Sequence, residues 1–555
     1  MFKMKLAHLF YTIIIVFASC SAKKEAPVPQ AVPFQLKSIK INTIDFSNKL
    51  YDVEVKPTIT IFFTAKIDKT SIDQALIIRD KTGNTIDFTS TTNDVDSSLT
   101  VMPKNTLRYL YQYNFSIATT LKSSAGANLN TAFEQSFFTK IDSSRKFPPI
   151  NDDQLMDKVQ QQTLKYFWDY GHPISGLSRE RNSSPEVVTS GGSGFGIMSL
   201  IVGASRNFIP KDQVLTRMTT IASFLKNTAQ TFHGAFPHWM NGATGKVIPF
   251  SAKDDGADLV ETSYLAAGLI CAREYFSANT AVENQLRSDI NTILDRIEWS
   301  WFRRGNQIVL YWHWSPNYDW QMNMPIRGWN ECLITYVMAA ASKNFAITPE
   351  VYNSGWAKGT EFINGNNYFG YSLPLGPPSG GPLFFEHYSF LGINPFGLKD
   401  AFASYELQTK NHTLINYAYC LTQKNYPSAY SDSLWGLTAC DVLNGYNANS
   451  PTNDKSVIAP TAALSSMPYT PEKSMAALKF YYYVLGDKLF KEYGFIDAFS
   501  LKENWFADSF LAIDQGPIIV MLENYRSGLM WKLFMQAPEV RQSLKTLGFT
   551  SPAMQ

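Results

Sequence analysis

From about residue 151 onward the chain reads as one apolar helical segment after another, with almost no β-branched strand between them. Leu155, Val159, Thr163, Leu164, Phe167 and Trp168 recur at helical spacing and mark the first amphipathic helix. Further helical segments read at 194–203, 214–228, from Asp258 onward, and at 290–301, 332–342, 353–363, 413–422, 438–443, 473–485 and 516–533. A parallel α/β sheet needs strands alternating with helices, so that class is excluded. Roughly a dozen helices joined by long aromatic loops predict six helical hairpins closed into an all-α (α/α)6 barrel, with the loops at one end building the site.

Ahead of this region the period changes. Segments 58–63, 75–78, 99–101 and 113–117 read as short strands, the last alternating with period two. Thr82-Gly83-Asn84 and Gly126-Ala127-Asn128 supply turns between them. The chain is therefore multidomain: a small all-β sandwich over 36–141, a linker over 142–150 and the helical domain over 151–548. The runs at 61–68, 101–103 and 113–117 resemble bacterial Ig-like domains.

The first residues have a different purpose. Lys3 and Lys5 precede an apolar run over 9–18 that is too short to cross a bilayer. It ends Phe17-Ala18-Ser19-Cys20, which resembles a bacterial lipobox. Residues 1–20 are then a lipoprotein signal peptide, Cys20 carries the lipid, and the polar, Pro-containing stretch 21–35 is a tether. With Ser21 next to the lipid, this predicts an exported, outer-membrane-anchored lipoprotein facing either the periplasm or the cell surface. No later run is long and apolar enough for a transmembrane helix in the mature protein.

Charge excludes one large class of partner. A net charge of +2 over 555 residues supplies no basic field for nucleic acid. Cys271, Cys332, Cys420 and Cys440 form no C-x-x-C pair, and a Cys420–Cys440 disulfide stays open on the sequence. The seven histidines are scattered without metal-ligand spacing, so neither a metal nor another cofactor is expected.

The densest chemistry is Asp254-Asp255-Gly256-Ala257-Asp258-Leu259-Val260-Glu261, which runs directly into an apolar helix. Asp258 and Glu261 are three apart and share a helix face. The same pair also reads as a capping box, the Asp accepting from backbone N–H groups and the Glu reaching back. Three loops set aromatics beside carboxylates. The first, 232–241, contains Trp239. The second, 311–318, contains Trp312 and Trp314 and leads to Arg327, Trp329, Asn330 and Glu331. The third, 380–388, ends Glu386-His387-Tyr388. Aromatic faces stack on sugar rings and acids work on glycosidic oxygens, so these residues are candidate sugar contacts. Glu331 is the candidate general acid, because apolar surroundings keep a carboxyl protonated, although a first-turn Glu also suits the helix dipole. Near the C-terminus, Asp497 and Asp514 read as partners for sugar hydroxyls, and Glu523 with Arg526 as a structural ion pair.

Several of these stretches together resemble the bacterial glycoamylase-like domain, and in particular glycoside hydrolase family 144. They are 189–196, 254–261, Trp329-Asn330-Glu331, Glu386-His387-Tyr388, Ala459-Pro460-Thr461-Ala462-Ala463 and 507–517, spanning about 150–540. The resemblance implies an (α/α)6 barrel that hydrolyses β-1,2-glucan with inversion and without a cofactor, in endo-acting or sophorose-releasing forms. It puts the acidic trio on Asp254, Asp258 and Glu261, with a further acid on Glu331. The alternatives are a hydrolase of another neutral glucan on the same barrel and a non-catalytic glycan-binding lipoprotein. Arg327 and His387 also leave open a lyase acting on uronic acids.

Overall fold

The computed structural model describes residues 33–93, 97–358, 362–423 and 430–554. The signal segment and Cys20 lie outside the described residues. The chain divides into two compact units: the first holds most of the N-terminal β region, called the β unit below, and the second holds the helical region together with segments 50–55, 107–113 and 137–141 of the β region.

In the β unit a five-stranded antiparallel sheet runs in the order Ile44–Asp45, Leu36–Ile41, Ile59–Phe63, Ser98–Pro103, Phe88–Asn93. A second, four-stranded sheet runs Leu50–Val53, Phe133–Thr139, Gln112–Ile117, Leu76–Asp80. Burial alternates strictly along Ile59–Phe63 and Gln112–Ile117, so every second side chain enters the core. This is the period-two signal of the sequence, and the strands fall within two residues of the predicted segments.

The helical unit has two kinds of helix. Lys211–Asn227 and Ala281–Asp295 bury one stripe and wet the other. Ser190–Ser205, Leu259–Tyr275 and Ala512–Arg526 are buried nearly all round, as expected of helices packed in the core. Glycine lets the first two touch backbone to backbone. A Cβ on Gly194 would lie 2.2 Å from the Tyr264 carbonyl oxygen, and one on Gly268 would lie 2.3 Å from that of Gly194. The cost of glycine inside a helix is offset by that contact.

Three sequence expectations are corrected. Segment 438–443 is a strand, Ala439–Val442, paired with Gly445–Ala448 in a hairpin. The two-residue loop is Leu443-Asn444, closed by the pair Val442–Gly445, and this tight turn outweighs the apolar run before it; Gly445 has φ +141. Segment 353–363 is a single π-helical stretch, Val351–Trp356, followed by a strand starting at Ile363. Residues 142–150 pack within the second unit: Lys146 N–H donates to the Tyr483 carbonyl at 2.7 Å, and the Phe147 ring lies 4.5 Å from the Tyr482 ring. Glu523 pairs with Arg206 at 2.7 Å and Arg526 with Asp157 at 2.6 Å, so the two do not pair with each other. Cys271, Cys332, Cys420 and Cys440 are all buried free thiols. Among the described residues no helix is long and apolar enough to cross a membrane.

Candidate active site

The acids are assembled at the entrance to Leu259–Tyr275. Asp258 is its N-cap: Oδ1 accepts from the N–H groups of Val260 and Glu261 at 3.0 and 2.9 Å. Half of the capping box is therefore present. The other half is diverted, because Glu261 Oε2 accepts from Gly191 N–H at 2.7 Å and Thr189 Oγ1 at 3.2 Å instead of turning back to Asp258. Glycine is needed at 191, since a Cβ there would lie 2.5 Å from that oxygen.

A two-residue ladder adds the next group. Ala257–Asp258 pairs with His313–Trp314, setting Asp258 opposite His313. His313 Nε2 lies 3.4 Å from Asp254 Oδ2 and 3.6 Å from Asp258 Oδ2. His238 Nδ1 is 3.0 Å from the same Asp258 oxygen. Burial opposes charge on His238, but the field of Glu261, the hydrogen bond to Asp258 and the field of Asp254 overcome it and raise its pKa to about 9. Burial also disfavours an ionised Asp258, yet His238 and His313 hold its pKa below the usual carboxylate value. Asp254, buried beside that charge, is pushed up to about 7. His313, losing hydration more than it gains from Asp258, is lowered.

Of these groups, Glu261 and His238 line a cavity of about 450 Å³, together with Glu331, Trp239, Trp312 and Tyr388, among others. Glu331 lies in the turn just before Leu333–Ala341 and not in the helix itself. Burial, then the negative charges of Glu261 and Asp258, push its pKa to about 7. Glu261 is also raised, by burial against the opposing pull of His238. One cavity thus holds an acid that keeps its proton near neutrality and, behind it, a charge pair that keeps Asp258 ionised.

The remaining candidates divide. Trp239, Trp312 and Tyr388 reach the cavity. Trp314 packs on Trp301 and Phe232 away from it. Trp329 is buried and donates its indole N–H to Glu386 at 2.9 Å. Glu386 is 0% exposed and also meets Gln408 and His412, so it organises the core beside the site. His387 is buried against Ser466 and its pKa is driven down by burial to about 3. Asn330 caps the following turn through Cys332 N–H at 3.0 Å, and Arg327 is exposed. Asp497 and Asp514 are 1% exposed and line neither this cavity nor the one beside it.

Sequence reasoning gave no role to His238, His313, Tyr264 or Phe250. Tyr264 looked like one more core residue of an apolar helix, yet it lines the cavity and its hydroxyl has no partner among the described residues. Phe250 stacks on His238 at 4.2 Å and is 49% exposed at the cavity rim. Only the His238-Trp239 doublet in an acid-bearing loop hinted at this. His238, Asp254 and Asp258 also present ligand atoms within 4.8 Å of one another, a spacing that could hold a cation. Such an ion would have to displace the proton that ties His238 to Asp258.

Residues 36–139 match a bacterial Ig-like domain model, and residues 323–538 match the Glycoamylase family model. A crystal structure from Bacteroides uniformis superposes with a TM-score of 0.73 at 53% identity, covering 74% of this chain and 100% of that one. This chain belongs to the glycoamylase-like family. The endo-β-1,2-glucanase of Chitinophaga pinensis, solved with sophorotriose and glucose, is 50% identical with a TM-score of 0.71, over 73% of this chain and 100% of that one. The exo β-1,2-glucooligosaccharide sophorohydrolase of Parabacteroides distasonis is 41% identical over 421 residues, which is 72% of this chain and 58% of that protein. Within the glycoamylase-like family, then, the chain has relatives described as acting on β-1,2-glucan in both modes.

Proposed function

We propose that this chain hydrolyses β-1,2-glucan or its oligosaccharides with inversion, on an (α/α)6 barrel formed by residues 151–548 behind an Ig-like sandwich at 36–141. The observation that carries the reading is Glu331: a carboxyl held near pKa 7 by burial and by Glu261 and Asp258, in an aromatic-lined cavity that Glu261 shares. Glu331 gives its proton to the glycosidic oxygen as the bond to C1 breaks, the bonding pair leaving with that oxygen. Water attacks C1 from the opposite face and passes its proton to Glu261. Asp258, 0% exposed, acts through His238 and keeps negative charge behind the attacking water. An inverting pair stands about 6.5–9.5 Å apart to admit that water. Trp239, Trp312 and Tyr388 stack on or bound the sugar rings.

The test is chromatography of products from linear β-1,2-glucan, with laminarin and starch beside it. Sophorose alone from the start means exo action, and a ladder of oligosaccharides means endo action. Release from laminarin or starch only would overturn the substrate. Binding of β-1,2-glucan without any release would overturn catalysis.

The lipobox at 17–20 supports a second element of the reading, an outer-membrane lipoprotein anchored through Cys20. Metabolic labelling with a palmitate analogue should mark the wild type and not Cys20→Ala. Equal labelling, or none in either, would remove the anchor.

A further inference from the structure

Asp254 is 4% exposed, yet neither of its carboxylate oxygens has a hydrogen bond among the described residues: Oδ1 has no partner, and Oδ2 only faces His313 Nε2 at 3.4 Å. His313, 9% exposed, repeats the pattern: Nδ1 has no partner, and Nε2 stands 3.6 Å from Asp258 Oδ2 as well. Buried polar atoms of this kind call for an ion, a water or a catalytic duty to account for them. We propose that His238, Asp254 and Asp258, with His313 beside them, form a binding site for a transition-metal dication of the zinc class, and that the bound ion stops turnover.

His238 Nδ1 lies 3.0 Å from Asp258 Oδ2, and His238, Asp254 and Asp258 each offer a ligand atom within 4.8 Å of the other two. Donors that share one zinc at about 2.0–2.2 Å stand about 3–3.5 Å apart. His238 and Asp258 already have that spacing. Asp254, held by no hydrogen bond, closes on it by rotating its side chain. His313 Nε2 faces both carboxylates and is the fourth donor. The ligands are also oriented from behind, as metal ligands are. Asp258 Oδ1 accepts from the N–H groups of Val260 and Glu261, the His238 ring lies on Phe250 at 4.2 Å, and ladder pairing sets His313 opposite Asp258. His238 lines the acid cavity, which gives the ion its path in.

The donor set selects the ion. Imidazole nitrogens with two carboxylate oxygens suit zinc, whereas magnesium and calcium ask for oxygen throughout. On His238 the ion takes the Nδ1 lone pair, so it replaces the hydrogen bond between that ring and Asp258. The effect on turnover rests on the reading of Asp258 as the negative charge kept behind the attacking water. An ion on Asp258 cancels that charge and fixes His238, and hydrolysis halts.

The test titrates the full chain, stripped with a chelator, with zinc chloride and separately with magnesium chloride, by calorimetry. One zinc site is expected, and no magnesium site at the same concentrations. Zinc affinity should fall by about tenfold or more in Asp254→Asn. If that variant fails to fold by thermal melting, His238→Gln replaces it, with the same expectation. No zinc binding, equal affinity for magnesium, or undiminished zinc affinity in the folded variant overturns the site. Turnover of β-1,2-glucan by the wild type with the zinc site saturated should fall by about tenfold or more and return when chelator is added. Unchanged turnover with zinc bound overturns the inhibition. If the wild type cleaves no glucan even in chelator, the functional reading fails, and calorimetry decides the metal site by itself.

Discussion

Two aspartate clusters in this molecule look alike in sequence and behave differently. The first is Asp254, Asp258 and Glu261, and the second is Asp441, Asp497 and Asp514. Both sit in aromatic loops ahead of buried helices. In the first, His238 and His313 lie within 3.6 Å of Asp258 and keep it ionised. In the second, the nearby cation is Arg181, already paired with Glu180 and Asp441. Burial then dominates. Asp497 rises to about 7 through burial and the charge of Asp441, against the opposing hydrogen bond of Asp514, and Asp514 is raised well above the ordinary value by burial and by Asp497. Asp497 Oδ1 and Asp514 Oδ2 find no donor among the described residues, and one shared proton would satisfy both. What separates a reactive acid cluster from a structural one is which cation faces it and whether that cation is already paired.

Activity tests this contrast most strongly. Glu331→Gln should lower kcat by about 10³-fold, within the range for loss of a general acid, while Asp514→Asn changes it by less than about fivefold. Similar losses in both folded variants would erase the contrast. Because Glu331 must hold its proton, wild-type turnover should fall as pH rises through about 7. A rate that is flat from pH 6 to 8 would assign the acid elsewhere. Gly191→Ala comes next: its Cβ would lie 2.5 Å from Glu261 Oε2, so the carboxylate must move. The expected cost is about 10–100-fold in kcat, with about 1–3 kcal/mol of stability read by urea denaturation.

The smallest effects are in stability against pH: Asp497 and His238 should show them in different windows, and Asp254, also raised to about 7, shares the earlier one. Asp497 has a folded pKa above its unfolded one, so its neutral form favours folding at low pH and that benefit is lost as pH rises from about 4 to about 7. Asp514→Asn gives Asp497 an amide partner that tolerates its charge, and should flatten this loss. His238 also has a raised folded pKa, so its contribution is complete below about 6.5 and lost as pH rises to about 9. His238→Asn should flatten only that later window. Urea midpoints across pH 4–10 check both, and a single common window would contradict the separation.

Much of the architecture was legible before the structure. The strand-like run 58–63, period two in 113–117 and period 3.6 from Leu155 onward report local geometry, which neighbouring residues dictate. The elements misread were those where turn chemistry competes with an apolar run, as at Leu443-Asn444. The acids at 254–261 and Glu331 were visible as carboxylates bordering apolar helices. Asp258 was rightly suspected as a cap, and its ion pairs were not visible, because His238 and His313 lie 20 and 55 residues away in the chain.

By itself the sequence determined where strands give way to helices, which loops carry acids and aromatics, and that no excess charge invites nucleic acid. The tertiary structure alone decided which of those groups meet. Trp329, Glu386 and Asp497 turn inward to hydrogen bonds in the core, while Tyr264 and Phe250 reach the cavity. The physical reason is that burial and the nearest counter-charge set a side chain's protonation and partners, and both come from residues far apart in the chain.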